Sequence, residues 1–290
     1  YGDVAPQFLN LETGAANIGA TKFNQWDYRI LLAYYQQELF KGRAGFIAGK
    51  IDLTDWFCFS GLLHPMLHFM DLGFSVSPTV SWSNHGLGVG VGGWLDKKKR
   101  FALVAGFNDV AGEDYSKPQF LNWGASQWKN GNFLKMVEFQ YTPTRAKWYT
   151  NRFSATYWHS DELLQSDDAF FETPSSTGFS LQGTWVIKDK HIPVVTFGMS
   201  DGNGANSLSS LNASIMYGRY FLSHDLLGAG LNFTTSSITN KNQMLAEIFY
   251  RWTLSQTTSF TPVFKFVLNP ALNQNVDFMM YYGIRSRISI

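Results

Sequence analysis

Apolar and polar residues alternate one by one along most of this chain, and this period of two limits its possible folds more than any other feature. From 278 to 290 the even positions are almost all apolar, while the odd positions include Arg285 and Arg287. Residues 179–187 repeat the pattern with apolar odd positions. A soluble β-sandwich also alternates, but its strands are shorter and its apolar face is less aromatic. The pattern therefore favours strands that face lipid on one side and water on the other.

Hydropathy excludes the other way of crossing a membrane. No uninterrupted apolar run reaches the roughly 18 residues that a spanning helix needs. The mean hydropathy is −0.14, with 17% aromatic and 16% charged residues. A closed barrel satisfies every backbone polar group in lipid while only one face of each strand is apolar. We therefore predict an all-β fold, a transmembrane antiparallel β-barrel in a bacterial outer membrane, acting as a passive pore and not as an enzyme.

Thirteen segments have strand character, and their connections alternate between short and long. Short connections lie near residues 41, 97, 144, 189, 223 and 256. In barrels of this kind short turns face the periplasm and long loops face outside. The predicted strands are 26–40, 43–51, 85–95, 100–109, 132–142, 147–159, 177–188, 192–200, 208–220, 225–235, 243–255, 258–268 and 277–290.

This topology places the first residues outside the cell, so thirteen strands cannot close alone, because single-chain barrels have even strand numbers. We expect residues 1–290 to be one barrel domain that lacks its N-terminal strands, with three more upstream completing a 16-stranded barrel.

Charge and cysteine content restrict the partners. A net charge of +1 argues against nucleic acid, which needs a concentrated basic surface. The single cysteine, Cys58, excludes an intrachain disulfide. His64 and His68 have helical spacing for a metal, but Pro65 intervenes and no third ligand is evident. We expect no metal, no cofactor, outer-membrane lipids around the wall, and either a monomer or a trimer.

Several segments resemble the carbohydrate-selective porin family called OprB. They are residues 31–57, which contain the Gly-Lys-x-Asp stretch at 49–52, and residues 195–205, 225–233, 246–255 and 261–273. The resemblance implies a sixteen-stranded outer-membrane barrel for diffusion of sugars and small solutes, narrowed by inward-folded loops.

Strand parity places a set of charged and aromatic side chains on the lumen face. An arginine fork and a carboxylate can together hydrogen-bond a sugar diol. The same residues can instead form cross-strand ion pairs that only hydrate the lumen. The candidates are Glu138, Arg152, Trp158, Glu247, Arg251, Lys265, Arg285 and Arg287.

The connection 52–84 is too apolar for a loop in water, so we predict that it folds into the barrel and constricts the pore. Its aromatic side chains can stack on sugar or pack the loop against the wall. The constriction candidates are Asp55, Trp56, Phe59, His68 and Asp71.

Three functions are compatible with these features. The first is an outer-membrane porin whose permeants are small sugars. The second is a general or anion-selective pore for ions, suggested by Arg251, Lys265, Arg285 and Arg287. The third is a structural or adhesive barrel plugged by its apolar loop.

Overall fold

The computed structural model describes residues 30, 32–58, 61–62, 67–75, 77–112, 123–163, 173–204, 207–221, 224–273 and 275–288. These residues form one antiparallel sheet in which each strand pairs with its neighbours in sequence, and β1 and β13 are its edges. The strands are β1 (Ala33–Leu39), β2 (Ala44–Ile51), β3 (Gly86–Trp94), β4 (Phe101–Asp109), β5 (Phe133–Tyr141), β6 (Arg152–Ser160), β7 (Ser176–Thr184), β8 (His191–Ser200), β9 (Ser209–Phe221), β10 (Asp225–Ser236), β11 (Asn242–Thr253), β12 (Thr258–Leu268) and β13 (Phe278–Ile288).

The all-β prediction is confirmed, and each of the thirteen predicted strands corresponds to one observed strand. The largest difference within the described residues is at β6, which begins at Arg152 and not at 147. Residues Arg145–Lys147 form a 3-10 helix instead. The carbonyl of Lys147 then accepts the amides of Thr150 and Asn151 at 3.0 and 2.8 Å, which folds these residues into a turn.

The predicted strict alternation of short and long connections is wrong at two places. The connection 142–151 lies at the short-turn end of the sheet yet is longer than 201–208 at the opposite end. The connection 237–241, predicted among the long ones, is also a tight turn. Alternation holds clearly for the three longest connections, 52–85, 110–132 and 161–175.

The two faces of the sheet differ as the period of two predicts. On β5, Glu138 and Gln140 are buried, while Val137 and Phe139 on the other face are 44% and 40% exposed. In β7 the polar positions are the buried ones, as expected. We call the polar, buried face the inner face and the apolar, exposed face the outer face.

Two groups of buried apolar side chains lie between the inner face and the connection 52–85. One joins loop residues such as Leu62 and Phe74 to β8–β12, and the other joins Phe57 and Val80 to β2, β5 and β6. The loop contains the helical turn α1 (Leu72–Ser75) and a 3-10 turn, Leu53–Asp55. None of the helices within the described residues is long and apolar enough to span a membrane. The buried core thus lies between the connection 52–85 and the inner face of the sheet, which we call the wall.

Candidate functional site

The site is built from the described parts of the connection 52–85, which we call the inner loop. Its two ends are tied together. Asp52 caps the first 3-10 turn by accepting the Thr54 amide at 2.8 Å, and its other carboxylate oxygen lies 3.3 Å from His85 Nε2. Burial, followed by the nearby Asp52 carboxylate, raises the pKa of Asp55. The loop therefore leaves β2 and enters β3 through one polar junction.

Glu138 on β5 is the first anchor of the inner loop. Its side chain is fully buried, and Oε2 accepts the Cys58 amide at 2.8 Å and the Thr156 hydroxyl at 2.6 Å. Oε1 accepts Arg152 at 3.0 Å and the Gln140 amide group at 2.7 Å. Four donors on two oxygens compensate the cost of burying the carboxylate. Glu138 therefore fixes the loop to the wall at Cys58.

The thiol of Cys58 is enclosed at this anchor. Burial, and then the Glu138 carboxylate, raise the pKa of the Cys58 thiol to about 12. At neutral pH it is a protonated, unreactive thiol, because only the thiolate is nucleophilic. Cys58 therefore acts here as a small apolar side chain.

A second anchor holds the middle of the loop to β11–β13. The amides of Met70 and Asp71 donate to the two oxygens of Glu247 at 2.6 and 3.2 Å. The Lys265 ammonium lies 2.8 Å from Asp71 Oδ2, and both side chains are buried. Arg285 donates to the His68 carbonyl at 2.5 Å. Loop amides thus meet wall carboxylates, and loop acceptors meet wall cations.

The helical turn α1 is held by neutral side chains. The carbonyl of Gly73 accepts Asn212 Nδ2 at 3.3 Å, Ser214 Oγ at 2.9 Å and Asn232 Nδ2 at 3.4 Å. The rings of Phe69 and Phe74 lie directly over Gly230, where a Cβ would be 3.0 Å or less from both. The bare glycine backbone on β10 therefore makes room for the loop aromatics.

An open recess lies beside the loop on the inner face of β1–β4, with an empty volume of about 900 Å³. Its lining includes Trp56 from the loop and Gln140, Arg145 and Trp148 from β5 and the turn that follows. Arg145 spans to β1, where it pairs with Glu38 at 3.0 Å. Trp148 is half-buried and donates from Nε1 to Gln140 Oε1 at 2.8 Å. The recess thus combines aromatic surfaces with planar amide and guanidinium groups.

Comparison with known proteins shows a family likeness in the C-terminal part of this wall. A sequence profile described as "Carbohydrate-selective porin, OprB family" matches residues 211–290, which hold most of β9, all of β10–β13 and the wall side chains of the second anchor. The C-terminal strands are therefore similar in sequence to the OprB family. No curated protein sequence matches the chain.

Solved structures show that the likeness of fold extends beyond those strands. OprB of Pseudomonas putida superimposes with a TM-score of 0.68 at 13% identity, over 90% of this chain and 73% of its own. OmpT of Vibrio cholerae gives TM-scores of 0.47, and 0.48 in its trimer form, at 12% identity. These cover 84% and 85% of this chain and 76% and 77% of theirs. The chain has the fold of a porin of the bacterial outer membrane.

Within this OprB-like wall, the structure separates the sequence-predicted lumen residues into two groups. Glu138, Arg152, Glu247 and Lys265 are buried and contact each other or the loop. Trp158 is fully buried among Cys58, Val80 and Met136, so its ring offers no surface to a solute in this conformation. The first group therefore serves packing between wall and loop.

The second group remains in contact with solvent. Arg251 donates to the His224 carbonyl at 3.5 Å near the short-turn end, and Arg287 is exposed on β13. Arg285 lies between the groups, because it is half-buried and its guanidinium is 5.8 Å from the Phe249 ring centroid. Of the loop candidates, Trp56 and His68 are half-buried and Asp71 is buried, whereas Phe59 and His64 lie outside the described residues.

Sequence reasoning missed the neutral residues around Gly73 and the recess at Trp148. A signal existed for the first, since Asn212, Ser214, Asn232 and Thr234 occupy successive inner positions of two paired strands. Such a row of neutral donors needs acceptors, and α1 supplies one. As for metals, no three His, Cys, Asp or Glu side chains converge on one point within the parts of the chain described above.

Proposed function

We propose that this chain forms the wall and constricting loop of an outer-membrane porin through which carbohydrates diffuse passively. The observation that carries the proposal is the inner loop, anchored to the inner face by Glu138 and Glu247. A loop held this way narrows the lumen without closing the recess beside it. The OprB-family match of β9–β13 supports carbohydrates as the permeants.

Within this proposal, the buried charged residues hold the loop and the recess contacts the solute. Glu138 already accepts four hydrogen bonds, so it has little capacity left for sugar hydroxyls, and both oxygens of the buried Glu247 accept loop amides. Trp56 offers a flat apolar surface that matches a pyranose face, and Gln140 and Arg145 offer polar groups near it, whereas the Trp148 ring is already covered on one side by the Arg152 guanidinium at 4.9 Å. Weak contacts of this kind let a solute enter and leave.

Liposome swelling tests the proposal. Vesicles containing the protein should swell faster in isotonic glucose than protein-free vesicles. In a second assay, maltose should block the single-channel current, and Trp56→Ala should weaken this block about 3- to 10-fold, as expected for losing one aromatic contact. Trp252→Ala, which removes a 56% exposed outer-face tryptophan, is the matched control and should leave the block unchanged. Swelling no faster than in empty vesicles would rule the function out.

A general or anion-selective pore is the second candidate, favoured by three arginines on the inner face of β11 and β13. Arg251 lies on the same face of β11 as the buried Phe249. Arg285 and Arg287 lie on the same face of β13 as Tyr281, which is the cross-strand partner of Lys265. The reversal potential in a salt gradient separates the two functions. Strong anion selectivity without block by sugar supports the ion pore, and weak selectivity with sugar block supports the carbohydrate pore. Zero conductance would favour a plugged structural barrel.

A further inference from the structure

The outer face carries a groove that the pore function does not explain. It is a shallow, open groove across β9–β12, lined by side chains such as Tyr217, Ala229 and Ala246. Register shows its cause: Ala229 lies between Tyr217 and Ile248, and Ala246 lies between Leu231 and Phe266. Two small side chains on adjacent strands thus sit diagonally among large ones. The result is an apolar channel along the wall where the surrounding surface is filled by bulky side chains.

Two cations, Arg219 and Lys190, and the imidazole of His191 lie at one end of this groove. Arg219 is two residues beyond Tyr217 on the same outer face, about 7 Å along the strand. His191 is the direct cross-strand partner of Arg219, and its Nδ1 is hydrogen-bonded to the Tyr217 hydroxyl. Lys190 is exposed in the adjoining turn. This end belongs to the short-turn side of the sheet, which faces the periplasm in such barrels.

The neighbouring carboxylates of the described residues do not pair with Arg219. Asp225 is mostly buried and accepts the Tyr250 hydroxyl and the Thr253 amide, both at 2.8 Å. Asp189 shares the turn with Lys190 and is exposed. Among the described residues no carboxylate forms an ion pair with Arg219, whose guanidinium instead lies 4.7 Å from the Phe221 ring centroid. An anion can therefore approach Arg219 from the membrane side.

We propose that this groove binds one phospholipid of the periplasmic leaflet, with an acyl chain over Ala229 and Ala246 and an anionic phosphate headgroup at Arg219, His191 and Lys190. The groove supplies apolar contact that a smooth wall does not, and the cations supply charge complementarity at the depth of the headgroup. Aromatic Tyr217 marks the boundary between the two parts, where such rings concentrate in barrels.

Native mass spectrometry of the full chain, released from detergent with added phosphatidylglycerol or phosphatidylcholine, tests the site. Wild type should retain one phosphatidylglycerol in preference to phosphatidylcholine. Arg219→Gln should lower phosphatidylglycerol retention about five-fold, as expected for one cation at a headgroup. Ala229→Leu fills the groove and should reduce retention of both lipids.

Two matched controls repeat these changes elsewhere. Lys98→Gln removes an exposed charge at the same end of the barrel, and Ala105→Leu adds the same bulk to the outer face of β4. Both should retain lipid like wild type, with circular dichroism checking that each variant is folded. Equal retention of the two lipids by wild type, or unchanged retention in Arg219→Gln, would overturn the proposal. Detection of a dimer or trimer that is lost in Ala229→Leu would also overturn the proposal, because the groove would then be an interface between copies of this chain.

Discussion

Removing the Lys265 ammonium should release the inner loop. Lys265 Nζ lies 2.8 Å from Asp71 Oδ2, and the Asp71 side chain is fully buried. In Lys265→Met the carboxylate keeps the Gly73 amide at 2.9 Å but loses the adjacent ammonium, and it stays buried near the second carboxylate of the anchor, Glu247. Breaking a buried pair from one side costs about 3–5 kcal/mol. The strands pair without this contact, so the cost falls on docking of the loop.

This loss of docking free energy should be measurable as a change in channel conductance. At the lower end of that range, the ratio of released to docked loop rises about 100-fold. Single-channel recordings in a planar bilayer should then show a larger conductance or frequent openings to one. Lys135→Met is the matched control, because it breaks an ion pair with Asp161 in which the lysine is 49% exposed. Exposed pairs contribute about 1 kcal/mol or less, so this control should behave like wild type.

Combining the variant with Asp71→Asn sharpens the test. The double variant also replaces the Asp71 carboxylate with a neutral amide and should recover much of the docked conductance, because removing both partners of a buried pair costs less than removing one. The reasoning is refuted if Lys265→Met conducts like wild type, or if the double variant is as open as the single one.

Three further predictions concern the anchors and a turn. Glu138→Ala removes an acceptor of four hydrogen bonds and should lower the thermal unfolding midpoint, whereas Glu138→Gln should lower it less; equal midpoints would contradict the anchor. Gly230→Val should destabilise packing of Phe69 and Phe74 against β10 by about 1–3 kcal/mol and raise the conductance. Gly283→Val, where a Cβ would meet nothing within 4 Å, should leave the conductance unchanged. The Phe101 amide, followed by other donors, lowers the pKa of Asp96 below 3.8. The ionised carboxylate therefore stabilises this turn above pH 3.8, and the stabilisation is lost as the pH falls through the lowered pKa of Asp96. Hydrogen exchange of the Phe101 amide should become faster over that pH range in the wild type, but not in Asp96→Asn.

The strands and their faces could be predicted because period-two alternation is a local property of the sequence. It located all thirteen strands and the buried face of β7. It failed at the start of β6, because the prediction extended the strand back to residue 147, whereas the Lys147 carbonyl accepts the amides of Thr150 and Asn151 and forms a turn. A turn closed by its own backbone leaves no sign in hydropathy, so boundaries next to such turns are beyond the pattern.

Partners across the lumen could not be predicted, because parity gives the direction of a side chain and not what it meets. Glu247 and Lys265 are direct cross-strand neighbours, which suggests an ion pair between them. In the structure Lys265 instead binds Asp71, and Glu247 accepts two loop amides. The loop lies 194 positions from Lys265 in sequence, so no local pattern links the two.

The anchors also explain how a loop this apolar can be held in one place. Side chains of the wall bind the backbone of the loop. Glu138 and Glu247 accept hydrogen bonds from the amides of Cys58 and Met70, and Arg285 donates one to the carbonyl of His68. Bonds to backbone depend on the path of the loop and not on the identity of its side chains. The apolar side chains are then free to fill the space against the wall, because the polar needs of the loop backbone are met by the wall. The charged residues of the inner face therefore determine where the inner loop lies against the wall.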